Sequence, residues 1–309
     1  MPYLVLAFLS LLWGTSFLLI KIASQSFDGA AFAFGRSGIA AAALVGAALV
    51  MRAKWPRAPR LWGKMAALAT AGQALPFLLF GIAAHMTTSA DMALMMGAMP
   101  IFTFVIARLF GLNEVWNARA ALGLALGLAG VAISLASPLV SAGAAAQSAP
   151  GLGRALALLG ALGFAAGALL SRDVSREIGA AMTATGSMLI STALLFVLML
   201  VTEGAPSPGA LLTKPIGPLA ALVALGVFNT ALAYFVYFRL IASAGATFAA
   251  LNNYIVPCLG LLAGAWALGE PVGPSSWLGL AGVLGGVVLT GTAASASRVI
   301  AARASAGAE

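Results

Sequence analysis

Residues 94–130 read LMMGAMPIFTFVIARLFGLNEVWNARAALGLALGLAG, and residues 251–286 read LNNYIVPCLGLLAGAWALGEPVGPSSWLGLAGVLGG. Pro100 matches Pro257, Glu114 matches Glu270, and Gly123 and Gly130 match Gly279 and Gly286. The offset is 157 at the proline and 156 afterwards, so a single gap aligns them. A mid-helix proline, a helix-end glutamate and two glycines in one order mark an internal duplication. A weaker match pairs Trp13-Gly14 with Leu162-Gly163 near the start of each half.

Each copy lies within apolar runs of about 20 residues, long enough to cross a hydrocarbon core of roughly 30 Å. Such runs recur along all 309 residues, which are 62% hydrophobic and only 8% charged. The mean hydropathy is +1.05. A water-soluble chain of this composition would lack a polar coat. Charges, prolines and polar clusters divide the chain into ten spans, at 3–22, 30–51, 65–84, 89–110, 118–137, 151–171, 179–201, 217–239, 246–268 and 276–296. The fold expected is therefore all-α and membrane-integral. Residues 1–137 form the first five-helix repeat, 138–150 an Ala/Ser/Gly-rich linker, 151–296 the second repeat, and 297–309 a cytoplasmic tail.

Five is odd, so the second repeat lies upside down relative to the first. Inverted repeats are a recurrent architecture of secondary transporters, with the substrate site near the midplane between them. Orientation follows from lysine and arginine. With the N-terminus cytoplasmic, Arg52, Lys54, Arg57, Arg60, Lys64, Arg108, Arg119, Arg172, Arg176, Arg239, Arg298 and Arg303 lie inside. Lys21, Arg154 and Lys214 lie outside. This asymmetry places both termini in the cytoplasm of a bacterial inner membrane.

Several classes are excluded. The net charge of +8 comes from short loops, not from a basic stripe interleaved with aromatics, so no nucleic-acid partner is expected. Cys258 is the single cysteine and His85 the single histidine, which leaves no intramolecular disulfide and no metal cluster. No cofactor is expected. The first run lacks a basic leader and a small-residue cleavage site, and reads as a retained helix. A membrane-embedded enzyme would need clustered catalytic groups at depth, and the sequence offers none.

The candidate site residues are polar or aromatic groups at depth. Pro100 and Pro257 each deprive a helix of one backbone hydrogen bond, and read either as packing kinks or as paired hinges. Asn252 and Asn253 lie about 100° apart on their helix, so they cannot point the same way. One packs against a neighbouring helix while the other faces a cavity; an unpaired amide in hydrocarbon costs several kcal/mol. Tyr254 follows them, and Met96 stands at the position matching Asn253. Asn229, Ala233 and Tyr237 share a stripe by i, i+4 spacing. Tyr234 lies off it, towards lipid or a neighbouring helix. Gln73, Pro76 and Phe77 come from helix three, and Trp13 with Ser16 from helix one, where Trp13 is too deep for an interfacial belt. Arg36, seven residues below the outer end of helix two, either snorkels to Asp28 or joins Lys21 to attract a substrate carboxylate at the outer mouth. Every carboxylate falls at or beyond a helix end, which argues against obligatory proton coupling. GxxxG at Gly123/Gly127 and Gly282/Gly286 lets helices five and ten approach their neighbours closely.

The opening LLWGTSFLLIK, the FAFGRSGIAAAAL of helix two and the paired proline-to-glutamate segments resemble the EamA-type drug/metabolite transporters over nearly the whole chain. The resemblance implies a ten-helix exporter with a central cavity lined mainly by helices 1, 3, 4, 6, 8 and 9. Family members export amino acids and other small metabolites, and relatives carry nucleotide sugars and phosphorylated sugars. This chain departs from a symmetric pattern in having no WG pair and no counterpart of Arg36 in its second half. Trp, Tyr, Asn, Ser and Met without an arginine cluster suit a substrate of little net charge. Neutral or aromatic amino acids are therefore the expected substrates, carried by facilitated passage or exchange, with multidrug or nucleotide-sugar transport as the alternative. The lipid bilayer and a small-molecule substrate are the partners expected of a monomer.

Overall fold

The computed structural model describes residues 2–53, 55–111, 117–136, 149–205, 209, 213–244, 246–249 and 251–289. Glu114, the tail 297–309 and all but the last two residues of the expected linker lie outside the described residues. Ten helices follow in chain order: α1 (Pro2–Ala23), α2 (Gly29–Val50), α3 (Pro59–Met86), α4 (Ser89–Leu109), α5 (Ala118–Ala136), α6 (Pro150–Ile178), α7 (Ala180–Thr202), α8 (216–244), α9 (Asn252–Leu268) and α10 (Pro274–Leu289). The chain is an all-α, multi-pass membrane protein.

Helix ends depart from the expected spans where amphipathic turns extend an apolar core. α6 runs seven residues beyond residue 171 because Val174 still packs inward, while Arg60 and Lys64 of α3 pair with Glu177 at 2.7 and 2.6 Å. α3 begins at Pro59, six residues earlier than expected, with Leu61 and Met65 buried. α9 begins at Asn252, six residues later than expected, and residues Ala246–Ala249 form a separate helical turn. α4 breaks at Gly97–Ala98, so Pro100 sits in the first turn of a new segment, where its missing N–H costs nothing. Pro257 stays inside α9 and packs on Gly97.

Two π-helical segments interrupt α3 and α8, at Thr70–Ala74 and Val227–Leu232. Their first residues are 157 apart, as are Pro100 and Pro257, so the interruption is duplicated with the fold. In α3 the cause is Pro76, which cannot donate to the carbonyl four residues back; the ladder loosens to i→i+5 just before it. In α8 the Thr230 hydroxyl takes up the Leu225 carbonyl at 2.8 Å, five residues earlier.

Packing between the halves follows a pseudo-twofold axis. α1 packs on α9 as α6 packs on α4, α1 on α8 as α6 on α3, and α2 on α8 as α7 on α3. On the axis itself α2 meets α7 and α4 meets α9. α5 and α10 also meet there, with Gly123, Gly127 and Gly130 set against Gly279, Gly282 and Gly286. The two GxxxG faces thus close on each other within the chain. Trp55 and Trp62 lie near the basic end of the bundle, and Trp266 and Trp277 near the other; all are half-buried or exposed, the pattern of aromatic belts.

Candidate functional site

At mid-depth the two π segments bring polar groups from α2, α3, α7 and α8 together. Arg36 is 7% exposed and turns into the bundle, away from Asp28. Its Nε donates to Thr230 Oγ1 at 3.2 Å, and its Cζ lies 4.2 Å from the Phe77 ring centroid. Thr230 in turn donates to the Leu225 carbonyl, so one hydroxyl both accepts from the guanidinium and closes the π turn. Gln73 Nε2 donates to Ser187 Oγ at 2.8 Å, while its Oε1 has no hydrogen-bond partner. The Tyr234 hydroxyl lies against the Gln73 amide and in the field of Arg36. Tyr234, expected towards lipid or a neighbouring helix, meets the neighbouring α3. Ala233 is fully buried with Leu6 and Leu9 of α1 and Tyr237 meets Trp13 there, so the Asn229, Ala233, Tyr237 stripe faces α1 while Tyr234 turns to α3.

Asn229 faces α1. Its Nδ2 donates to the Leu12 carbonyl and, at 3.1 Å, to Ser16 Oγ. Trp13 is half-buried on the same helix and meets the Tyr237 ring at 5.2 Å. Asn252 accepts from Ser10 Oγ at 2.9 Å and thereby ties α9 to α1. Asn253, beside it, is half-buried with no hydrogen bond to it among the described residues. Tyr254 instead reaches α10, donating to the Val287 carbonyl at 3.3 Å. Met96 is half-buried against the main apolar core at the break in α4.

Lys21 stands apart from Arg36. Its Nζ donates to the Ala84 and Thr87 carbonyls at 2.5 and 2.8 Å, closing the C-terminal end of α3. The pairing of Lys21 and Arg36 at one mouth is therefore not what the fold makes. Lys21 belongs to a lacework at the end opposite the basic one. There Glu270 accepts from Ser89 N, Ser89 Oγ and Ala90 N at the start of α4. Gly269, at φ +64°, ends α9 and swings Glu270 into that position. Asp91 Oδ2 accepts from Thr87 Oγ1 at 2.7 Å and lies 3.0 Å from Arg154 Nε, with both charged residues buried. Arg154 Nη1 also donates to the Ser134 carbonyl at 2.7 Å.

Sequence reasoning missed the Asp91–Arg154 pair, Thr230 and both π segments. Asp91 was partly legible: Thr88 three residues before it is an N-cap signature, and Thr88 Oγ1 does accept from the Asp91 N–H. Nothing local to Arg154 announces a partner in another helix. The adjacent Asn229-Thr230 is a stronger signal than either residue alone, because two hydrogen-bonding side chains in succession at mid-depth call for two different partners.

A sequence profile of the EamA-like transporter family matches residues 1–136 and 151–292, that is, nearly all of both halves. The chain is 25% identical over 294 residues to the uncharacterized inner membrane transporter YedA of Escherichia coli (strain K12). That match covers 91% of this chain and 87% of the relative, and the YedA proteins of strains O6:H1 and O157:H7 match equally. A solved crystal structure superposes with a TM-score of 0.64 over 95% of this chain and 97% of that one, at 19% identity, which establishes likeness of fold. Duplicated profile, duplicated π turns and ten paired helices agree: the chain belongs to the EamA-like transporter family.

Proposed function

We propose that this transporter exports small metabolites, most of all neutral or aromatic amino acids, across a bacterial inner membrane. The carrying observation is the chemistry at mid-depth: two amides, hydroxyls and aromatic rings around one cation, with no carboxylate among the described residues there. A sugar phosphate would call for several basic groups. An apolar cation would call for a deep acid. Trp13, Ser16, Gln73, Phe77, Met96, Asn229, Tyr234, Asn252, Asn253 and Tyr254 are the residues proposed to bind or shape the substrate site. Residues 1–137 and 151–296 act as the two moving repeats, with Pro100 and Pro257 as hinges. The basic end is the cytoplasmic one and the working unit is a monomer.

Counterflow in proteoliposomes tests the substrate class. Labelled L-phenylalanine should accumulate against unlabelled aromatic and neutral amino acids, and Trp13→Ala or Asn253→Ala should cut the rate by about tenfold. Exchange with cationic drugs or nucleotide sugars in place of amino acids would overturn this reading.

Coupling follows from where the acids sit. The buried Asp91 is held by Arg154 and Thr87, and Glu270 by the N-terminus of α4, so both acids are engaged in structural contacts away from the mid-depth cluster. Transport is therefore facilitated or by exchange. An imposed pH gradient should leave the initial rate within about twofold of its value without one. Concentrative uptake driven by that gradient alone would sink the claim.

A further inference from the structure

A guanidinium carries five N–H donors and a full charge. Arg36 is nearly fully buried, yet among the described residues its side chain makes one hydrogen bond, from Nε to a neutral hydroxyl, and has no acid beside it. Buried charges are ordinarily paired, because desolvation without a counter-ion is expensive. The Phe77 ring face at 4.2 Å offers a partial substitute, and it leaves the terminal nitrogens without an anionic acceptor. A second orphan stands in the same cluster. Gln73 is 3% exposed and its Oε1 has no partner, so an acceptor is left waiting for a donor. Both groups lie around Thr230 and Tyr234.

We propose that Arg36 is the subsite for a carboxylate of the transported molecule, with the Gln73 carbonyl oxygen receiving a hydrogen-bond donor next to it. The pair then reads the two ends of an α-amino acid, and in that respect the proposal rests on the amino-acid reading above. The Thr230 hydroxyl fixes the guanidinium from one side and Phe77 fixes its plane, which leaves its terminal nitrogens to meet a carboxylate. No equivalent arginine exists in the second half, so the molecule binds in one orientation, off the pseudo-twofold axis.

The test uses the purified full chain in detergent, with binding measured by calorimetry. Four probes share one ring: L-phenylalanine, 3-phenylpropanoate, L-phenylalaninamide and phenethylamine. The two carboxylates should bind about ten- to a hundredfold more tightly than the amide and the amine, the factor carried by a charge-assisted hydrogen bond. Arg36→Gln should erase that preference while retaining residual binding of all four. The wild-type series stands alone even if the variant does not fold. Equal binding of acid and amide by the wild type, a preference that survives in Arg36→Gln, or binding of none of the four overturns the proposal. Binding of 3-phenylpropanoate but not L-phenylalanine upholds the carboxylate subsite and overturns the amino-acid reading. Binding of L-phenylalanine and its amide alike does the reverse.

Discussion

Gly130→Leu is expected to abolish the native fold, leaving aggregated or protease-sensitive protein where the wild type is monodisperse in detergent. A Cβ at Gly130 would lie 2.7 Å from both the Gly279 carbonyl oxygen and the Val283 nitrogen. Those are backbone atoms of α10, which cannot turn aside as a flexible side-chain tip would. Overpacking usually costs about 1–3 kcal/mol when neighbours can yield. Here α5 and α10 would have to part along their length, because a Cβ at Gly286 would likewise lie 2.6 Å from the Gly123 carbonyl oxygen and the Gly127 backbone. The loss should therefore stand at or above the top of that range. Gly46→Ala is the matched control: a Cβ there meets nothing within 4 Å, so stability should stay within about 1 kcal/mol of wild type. Wild-type thermal stability of Gly130→Leu, measured by size-exclusion chromatography after heating, would mean that this glycine face is not a packing requirement.

Asp91→Asn should be the most damaging single change among the charged residues. It leaves Arg154, 5% exposed, without its counter-charge 3.0 Å away. Breaking a buried pair from one side typically costs about 3–5 kcal/mol, since the remaining charge is stranded in a poor solvent. The substitution preserves an acceptor for the Thr87 hydroxyl, which isolates charge as the variable. Adding Arg154→Met should recover much of the loss, because an apolar side chain of similar length needs no partner. The diagnostic is a double-mutant cycle on thermal stability. Additive losses in the double variant would show that the two residues act separately.

Both predictions depend on groups whose partners are far away in sequence, and that marks the boundary of what could be read from the chain alone. The ten spans, the duplication and its inversion follow from hydropathy, from the matched Pro100 and Pro257 and from an odd number of crossings. These are properties of single segments in a hydrocarbon solvent, so each segment reports its own state. The candidate site was read as a set of residue types: Trp13, Gln73, Asn229 and Asn253 are polar or aromatic groups in a place where such groups must be satisfied. Asn252 and Asn253 were separable only as a pair, and Ser10 of α1 settled which one packs.

What stayed hidden was direction. Arg36 has a long flexible side chain that reaches outward or inward at similar cost from the backbone's point of view. Thr230 and Phe77, 194 and 41 residues away, decide in favour of inward. The π turn at Val227–Leu232 was hidden as well, because helical periodicity assumes an unbroken i→i+4 ladder. Pro76 gives a local reason for the same turn in α3, but α8 has no proline there, and its turn is closed by Thr230 against Leu225. Segment identity is encoded locally by transfer free energy. The register of one face against another is a balance among helices that meet only after folding, and there the tertiary packing has the deciding vote.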